Sequence, residues 1–150
     1  MIVVLLVAGL VAWNVVLRQS AQHAQAVAQQ RQYLVEQLVH SSRRATLRTA
    51  QGKTVGYVVQ RAGKLDVVTE AMQPNDAATT SYVLWATGPT APPRAIGRFD
   101  VTACGVALKA VGSSPTEYPG LSGFAVSKEP GDRAPKRPSD VVASGAVKTT

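Results

Sequence analysis

Residues 1–17 carry no charged side chain, and only Asn14 interrupts an otherwise apolar run. As a helix this run would extend about 25 Å, close to the ~30 Å hydrocarbon thickness of a bilayer. Trp13 lies near its far end, where aromatic rings favour the membrane interface, and Arg18 closes it. A transmembrane helix is therefore expected over 1–17. Burial inside a soluble domain is the plainer alternative, but no other segment is apolar enough to surround the run. A cleaved signal peptide is the nearer rival. It needs a basic stretch ahead of the apolar run and a small-x-small site just behind it. No Lys or Arg precedes the run, and Ala24-Gln25-Ala26 lies well past Leu17. A span opening at residue 1 also leads us to expect sequence upstream of Met1. The Lys/Arg flank count then does not fix membrane sidedness.

Charge is distributed unevenly along the chain. Residues 18–66 hold eight Lys/Arg against Glu36 and Asp66, whereas the remainder holds eight basic and seven acidic residues. Residues 18–42 contain no Pro or Gly and are rich in Ala and Gln, good helix formers. We expect a membrane-proximal helical stem over 18–43. Ala24, Val27, Leu34 and Leu38 stand at a/d-like spacing with Arg31 interrupting, so the same stripe is a candidate for self-association. Arg43, Arg44, Arg48, Lys53, Arg61 and Lys64 form a basic stretch suited to a solvated face or to anionic headgroups. With only Tyr57 nearby for stacking, no nucleic-acid partner is expected. His23 and His40 have no partners at ligand spacing and read as surface residues; no metal or cofactor is expected.

All nine prolines fall from Pro74 onward, and eleven of twelve glycines follow residue 51. That shift marks a domain beginning near residue 44 and running to 147, with a short tail at 148–150. Alternating runs separated by turn residues recur at 45–50, 53–60, 64–69, 80–87, 94–99, 105–111, 121–128 and 140–147. No helical period of comparable length interrupts them, so a mainly β, antiparallel domain is expected. A small β-sandwich, two sheets burying each other's inner faces, is the economical solution. Tyr57, Trp85, Phe99 and Phe124 are its expected aromatic anchors, with Val55, Tyr57 and Val59 sharing one face. Tyr82 and Trp85 should point to opposite faces of one strand. The single cysteine, Cys104, excludes an internal disulfide and reads as a small buried or half-buried residue. Only 5% of residues are aromatic, which speaks against a nucleotide-stacking or sugar-binding platform.

The run Ser81-Tyr82-Val83-Leu84-Trp85 resembles the Y-x-L-W element of the extracytoplasmic domain of the anti-sigma-K factor family. Further segments are similar to that family in order: RAIGRF with Gly97 and Phe99, GFAVSKEPG with Val126, Glu129, Pro130 and Gly131, and VVASG with Ser144 and Gly145. Ser127 and Lys128 depart from the family's usual Thr and apolar residue, and residues 132–138 are more charged than its usual loop. The resemblance spans 43–145, with the apolar run and stem placed ahead of it as in the family. It implies a membrane-anchored regulator whose C-terminal domain is extracytoplasmic. It further implies site-1 and site-2 type proteases that release a sigma factor. The sigma factor itself would be held by an N-terminal module that these 150 residues do not contain.

Two other function classes stand beside this one. An anchored or secreted β-sandwich binding or adhesion module would recruit partners through edges or loops, and a large exposed apolar patch would mark it. An enzyme is the third class. Both histidines precede the domain, which argues against a His-based triad within it. Asp66, Glu70 and Asp100 would be the carboxylates of any remaining hydrolytic chemistry. No catalytic residues are expected.

Overall fold

The computed structural model describes residues 43–115, 118, 120–131, 133 and 135–149. The expected helices at 1–17 and 18–42 lie outside the described residues. Eight strands follow in order: β1 (Arg43–Arg48), β2 (Thr54–Arg61), β3 (Lys64–Thr69), β4 (Thr80–Thr87), β5 (Arg94–Phe99), β6 (Ala107–Ser113), β7 (Gly123–Pro130) and β8 (Val141–Thr149). No described residue is helical. Arg43, expected at the end of the stem, opens β1, and the expected tail at 148–150 is strand as far as Thr149.

The two-sheet sandwich is corrected to a single antiparallel sheet in the order β5-β4-β7-β8-β1-β2-β3-β6. Strand neighbours in the chain pair across short connections in β1–β2, β2–β3 and β4–β5, and across the longer segment 131–140 in β7–β8. β1 lies between β8 and β2, so the first described strand is interior to the sheet. The sheet curls until its edges, β5 and β6, meet. A Cβ on Gly97 of β5 would sit 2.0 Å from the Val111 carbonyl oxygen of β6, and one on Gly112 would sit 3.0 Å from that of Ile96. The absence of side chains at these two points lets backbone meet backbone, and the sheet becomes nearly a barrel.

Bulges supply the curvature. Register shifts at Leu47/Arg48, Leu65/Asp66, Leu84/Trp85 and Val126/Ser127 leave Val55, Val111, Ile96 and Val142 as the extra residues on the facing strands. A bulge bends and twists its strand, and here each adds an apolar β-branched residue. Val55 is in the core, and Ile96, Val111 and Val142 pack against it.

The interior is filled by Ala45, Leu47, Val55, Val58, Leu65, Val67, Met72, Tyr82, Leu84, Phe99, Phe124 and Val126, among others. Tyr82 and Phe99, side by side on β4 and β5, stack with ring centroids 5.6 Å apart, adding about 0.5–1.5 kcal/mol beyond their area. The Tyr82 hydroxyl donates to the Gln73 carbonyl at 2.8 Å and ties the β3–β4 loop to the core. Asn75 extends that tie, accepting from the Val101 amide at 2.8 Å and donating to Thr80 O at 2.7 Å and Asp100 Oδ1 at 2.8 Å. Tyr57 is not a core anchor: the Val55 bulge reverses the alternation, so Val58 faces inward and Tyr57 lies half-buried on the outer face. Tyr82 takes the central aromatic position instead.

The β2–β3 hairpin closes through Ala62-Gly63, both with positive φ (48° and 77°). Alanine in that conformation is strained, whereas Asn tolerates it. Ala62→Asn is expected to raise stability by about 0.5–1 kcal/mol. Gly145→Ala would place a Cβ 2.0 Å from the Thr46 carbonyl oxygen across β1–β8. It should lower stability by more than about 2 kcal/mol. Thermal unfolding of the two variants checks both signs.

Candidate functional site

β4 reads Thr80-Ser81-Tyr82-Val83-Leu84-Trp85-Ala86-Thr87, and its six central residues are all buried although they alternate between two faces. Tyr82, Leu84 and Ala86 face the barrel interior. Ser81, Val83 and Trp85 face outward beside Glu129, Ser127 and Ala125 of β7, and are buried too. Described residues of the β7–β8 connection lie over this outer face, with Ser139 on Glu129 and Pro135 near Trp85.

A hydrogen-bonded chain runs through the covered face. The Trp85 indole N–H donates to Ser127 Oγ at 2.8 Å. The Ser127 hydroxyl in turn donates to the Glu129 carboxylate, which is 1% exposed. The Ser139 amide donates to Glu129 Oε1 at 2.8 Å, and the Ser139 hydroxyl to Oε2. Burial pushes the Glu129 carboxyl upward. The hydrogen bonds from Ser127 and Ser139 outweigh it and hold the group below its ordinary 4.5. The buried carboxylate thus clamps the crossing segment onto the sheet. At the end of β7, Gly131 takes φ 77° and its N–H donates to Thr79 O at 2.7 Å, while Ser81 Oγ donates to Gly131 O at 3.3 Å.

Beyond Trp85 the same face opens into a groove of about 470 Å³, lined by Trp85, Pro92, Pro93, Tyr118 and Pro135 with Arg94 and Lys136. The Tyr118 hydroxyl lies 3.1 Å from both the Ala91 and Pro92 carbonyls, to which it donates, and anchors that wall. Its described lining sets apolar rings beside the cations of Arg94 and Lys136.

The residues singled out in the sequence separate into groups. Tyr82, Phe99 and Val126 are in the core. Gly97 and Gly145 stand where another strand's carbonyl passes. Trp85 and Glu129 belong to the covered face, and Pro130 and Gly131 end β7. Ser144 is exposed on β8 opposite Ala125, in the cross-strand row that includes Trp85. Cys104 is exposed in the β5–β6 loop, which corrects the expectation of burial. The candidate carboxylates each have a local partner: Asp66 faces Arg61 at 3.8 Å, Asp100 accepts from Asn75, and Glu70 accepts from the Tyr57 hydroxyl. No group of three or more metal-ligating side chains occurs among the described residues. Sequence reasoning missed Ser139, which lies ten positions past Glu129 in a Pro-rich loop with no periodic signal. It treated Ser127 only as a departure, whereas the hydroxyl is what the site uses.

The architecture is a single antiparallel sheet curled nearly into a barrel, with one covered outer face and a groove beside it. The chain matches the family model described as anti-sigma-K factor rskA, C-terminal, over residues 1–145, and belongs to that family. No curated protein and no solved structure matches it.

Two measurements test the covered face. Ser127→Ala leaves the Trp85 N–H without its acceptor and Glu129 one donor short, and should cost about 1–3 kcal/mol. Ser127→Thr restores the hydroxyl and should recover most of that loss in denaturant unfolding. The lowered folded pKa of Glu129 means the unfolded state binds the proton more readily. Its stabilisation is complete above the ordinary glutamate value and disappears as pH falls through the lowered folded value. Unfolding midpoints should therefore drop on acidification below about pH 4.5, and less so in Glu129→Gln.

Proposed function

We propose that this chain is the anchor and sensor part of a membrane-bound regulator that controls sigma-factor release through regulated proteolysis. Residues 1–17 anchor it, residues 18–42 form the stem that proteases cut, and the β-barrel outside the membrane governs access to that stem. The sigma factor is engaged through an N-terminal module other than these residues. The observation that carries this reading is the family match over 1–145, which takes in the apolar run, the stem and the barrel together.

The topology supports a gating role. β1 is hydrogen-bonded on both sides, to β2 and β8, and buries Ala45 and Leu47. A protease working toward the barrel would have to break two ladders at once to go past Arg43. Cleavage is thereby confined to the stem, and its rate depends on whether the barrel is folded. The alternative, an adhesion module with a large apolar patch, draws little support: Val141 is the sole large hydrophobic side chain exposed among the described residues.

A reporter active only outside the cytoplasm, fused after Thr150, should be active, and an inactive fusion would overturn the extracytoplasmic placement. Gly145→Ala should increase stem cleavage several-fold at temperatures where it loosens the barrel, and Ala62→Asn should not. Unchanged cleavage in a barrel shown to be destabilised would sink the gating role.

A further inference from the structure

Strand register places five basic residues at one end of the barrel. Arg43 and Arg44 open β1, opposite Gln60 and Val59 of β2 on one side and Thr149 and Lys148 of β8 on the other. The β2–β3 hairpin tip with Arg61 and Lys64, and Ser113 of β6 opposite Lys64, lie at the same end. Arg43, Arg44, Arg61, Lys64 and Lys148 are all exposed. Arg61 pairs with Asp66, while Arg43, Arg44, Lys64 and Lys148 have no carboxylate in ion-pair range among the described residues. Arg44 and Lys148 stand directly across from one another, a like-charge pairing that destabilises a sheet unless an anion lies between the two. Glu70, Asp76, Asp100 and Asp140 all flank strand ends at the opposite pole, after β3, before β4, after β5 and before β8. Glu117, in the β6–β7 connection, is outside the described residues. Lys53, Arg133, Lys136 and Arg137 belong to connections at that same opposite pole, so its charge is mixed, whereas at the end where β1 begins cations outnumber carboxylates among the described residues.

We infer that this basic end docks the barrel on anionic phospholipid headgroups. The inference rests on the membrane-anchored reading above, because the tether joins the barrel at Arg43, within the basic end itself. A tethered domain meets the bilayer at high effective concentration, and each Lys or Arg near an anionic surface adds about fivefold to association. Among the described residues, Tyr57, diagonal to Arg44 across β1–β2, is the one aromatic ring close in register to these cations, and a single half-buried ring is a poor platform for successive bases, which favours headgroups over single-stranded nucleic acid.

The full chain, reconstituted in nanodiscs containing a headgroup-spin-labelled lipid, tests this. One sample carries a fluorophore on Ser113→Cys in a Cys104→Ser background, and the other carries it on native Cys104, in the β5–β6 loop at the opposite pole. With phosphatidylglycerol present, the label at position 113 should be quenched and that at 104 should not. With phosphatidylcholine alone, neither should be quenched. Molar salt should abolish the effect, since the screening length falls to about 3 Å. Arg44→Glu/Lys64→Glu/Lys148→Glu should reduce the quenched fraction by about tenfold, and Lys64→Gln/Lys148→Gln by less. Equal quenching in both lipids, equal quenching of both labels, or none would overturn docking. Retention by duplex DNA without lipid-dependent quenching would reassign the face and overturn it as well. Co-elution with phosphatidylcholine discs reports the anchor separately. If that fails while salt-sensitive binding to phosphatidylglycerol vesicles persists, the anchor is wrong and the docking surface stands.

Discussion

An antiparallel sheet has one apolar face to hide, and here no described helix is available to cover it. The sheet hides that face against itself, and for this its two edges must come together. They do so only because Gly97 and Gly112 leave room for the carbonyls of Val111 and Ile96. Those two carbonyls belong to the bulged residues of the opposite edge strands, so curvature and closure have a common origin. The core of stacked Tyr82 and Phe99 and the surrounding Val and Leu side chains exists as an enclosed volume only once this approach is made. β5 and β6, the strands at the seam, hold Phe99 as their one buried residue, and they carry Arg94, Arg98 and Lys109. Cations on an edge discourage pairing with another chain.

Closure settles the inner face and leaves the outer face of β4 and β7 apolar around Val83, Trp85 and Ala125. The β7–β8 connection covers it, at the cost of burying Glu129. A buried carboxylate is tolerable only if donors surround it, and Ser127 and Ser139 provide them. The network therefore connects a strand interior, a long connection and the wall of the groove in one cooperative unit. The central β1, held from both sides by β8 and β2, belongs to the same sheet.

Much of the strand layout was legible in the chain. The strands at 64–69, 80–87 and 94–99 coincide with the expected runs because Ala62-Gly63, the Pro74-Asn75-Asp76 loop and Pro92-Pro93 flank them with turn chemistry. The assignment of faces failed where a bulge intervened. Val55, Tyr57 and Val59 alternate in sequence, yet Val55 is the extra residue of a bulge, so Val58 points inward and Tyr57 outward. Two sheets were expected because eight short strands are equally compatible with a sandwich and with one curled sheet, and the choice depends on contacts between strands far apart in the chain. Cys104 illustrates a smaller version of the same limit: a small apolar residue in a turn carries no pattern that reports its exposure.

By itself the sequence determined the strand-rich composition of the domain, the turns that divide it, the opposite orientation of Tyr82 and Trp85, and the family to which the chain belongs. These follow from local chemistry: side-chain alternation, the fixed φ of proline, the freedom of glycine and the order of short motifs. Tertiary structure alone decided that the sheet is single and nearly closed, that a Ser127-Glu129-Ser139 cluster holds a connection over its outer face, and that five cations share one pole. Each of these depends on register between strands distant in the chain, and register is set by which faces can be buried together.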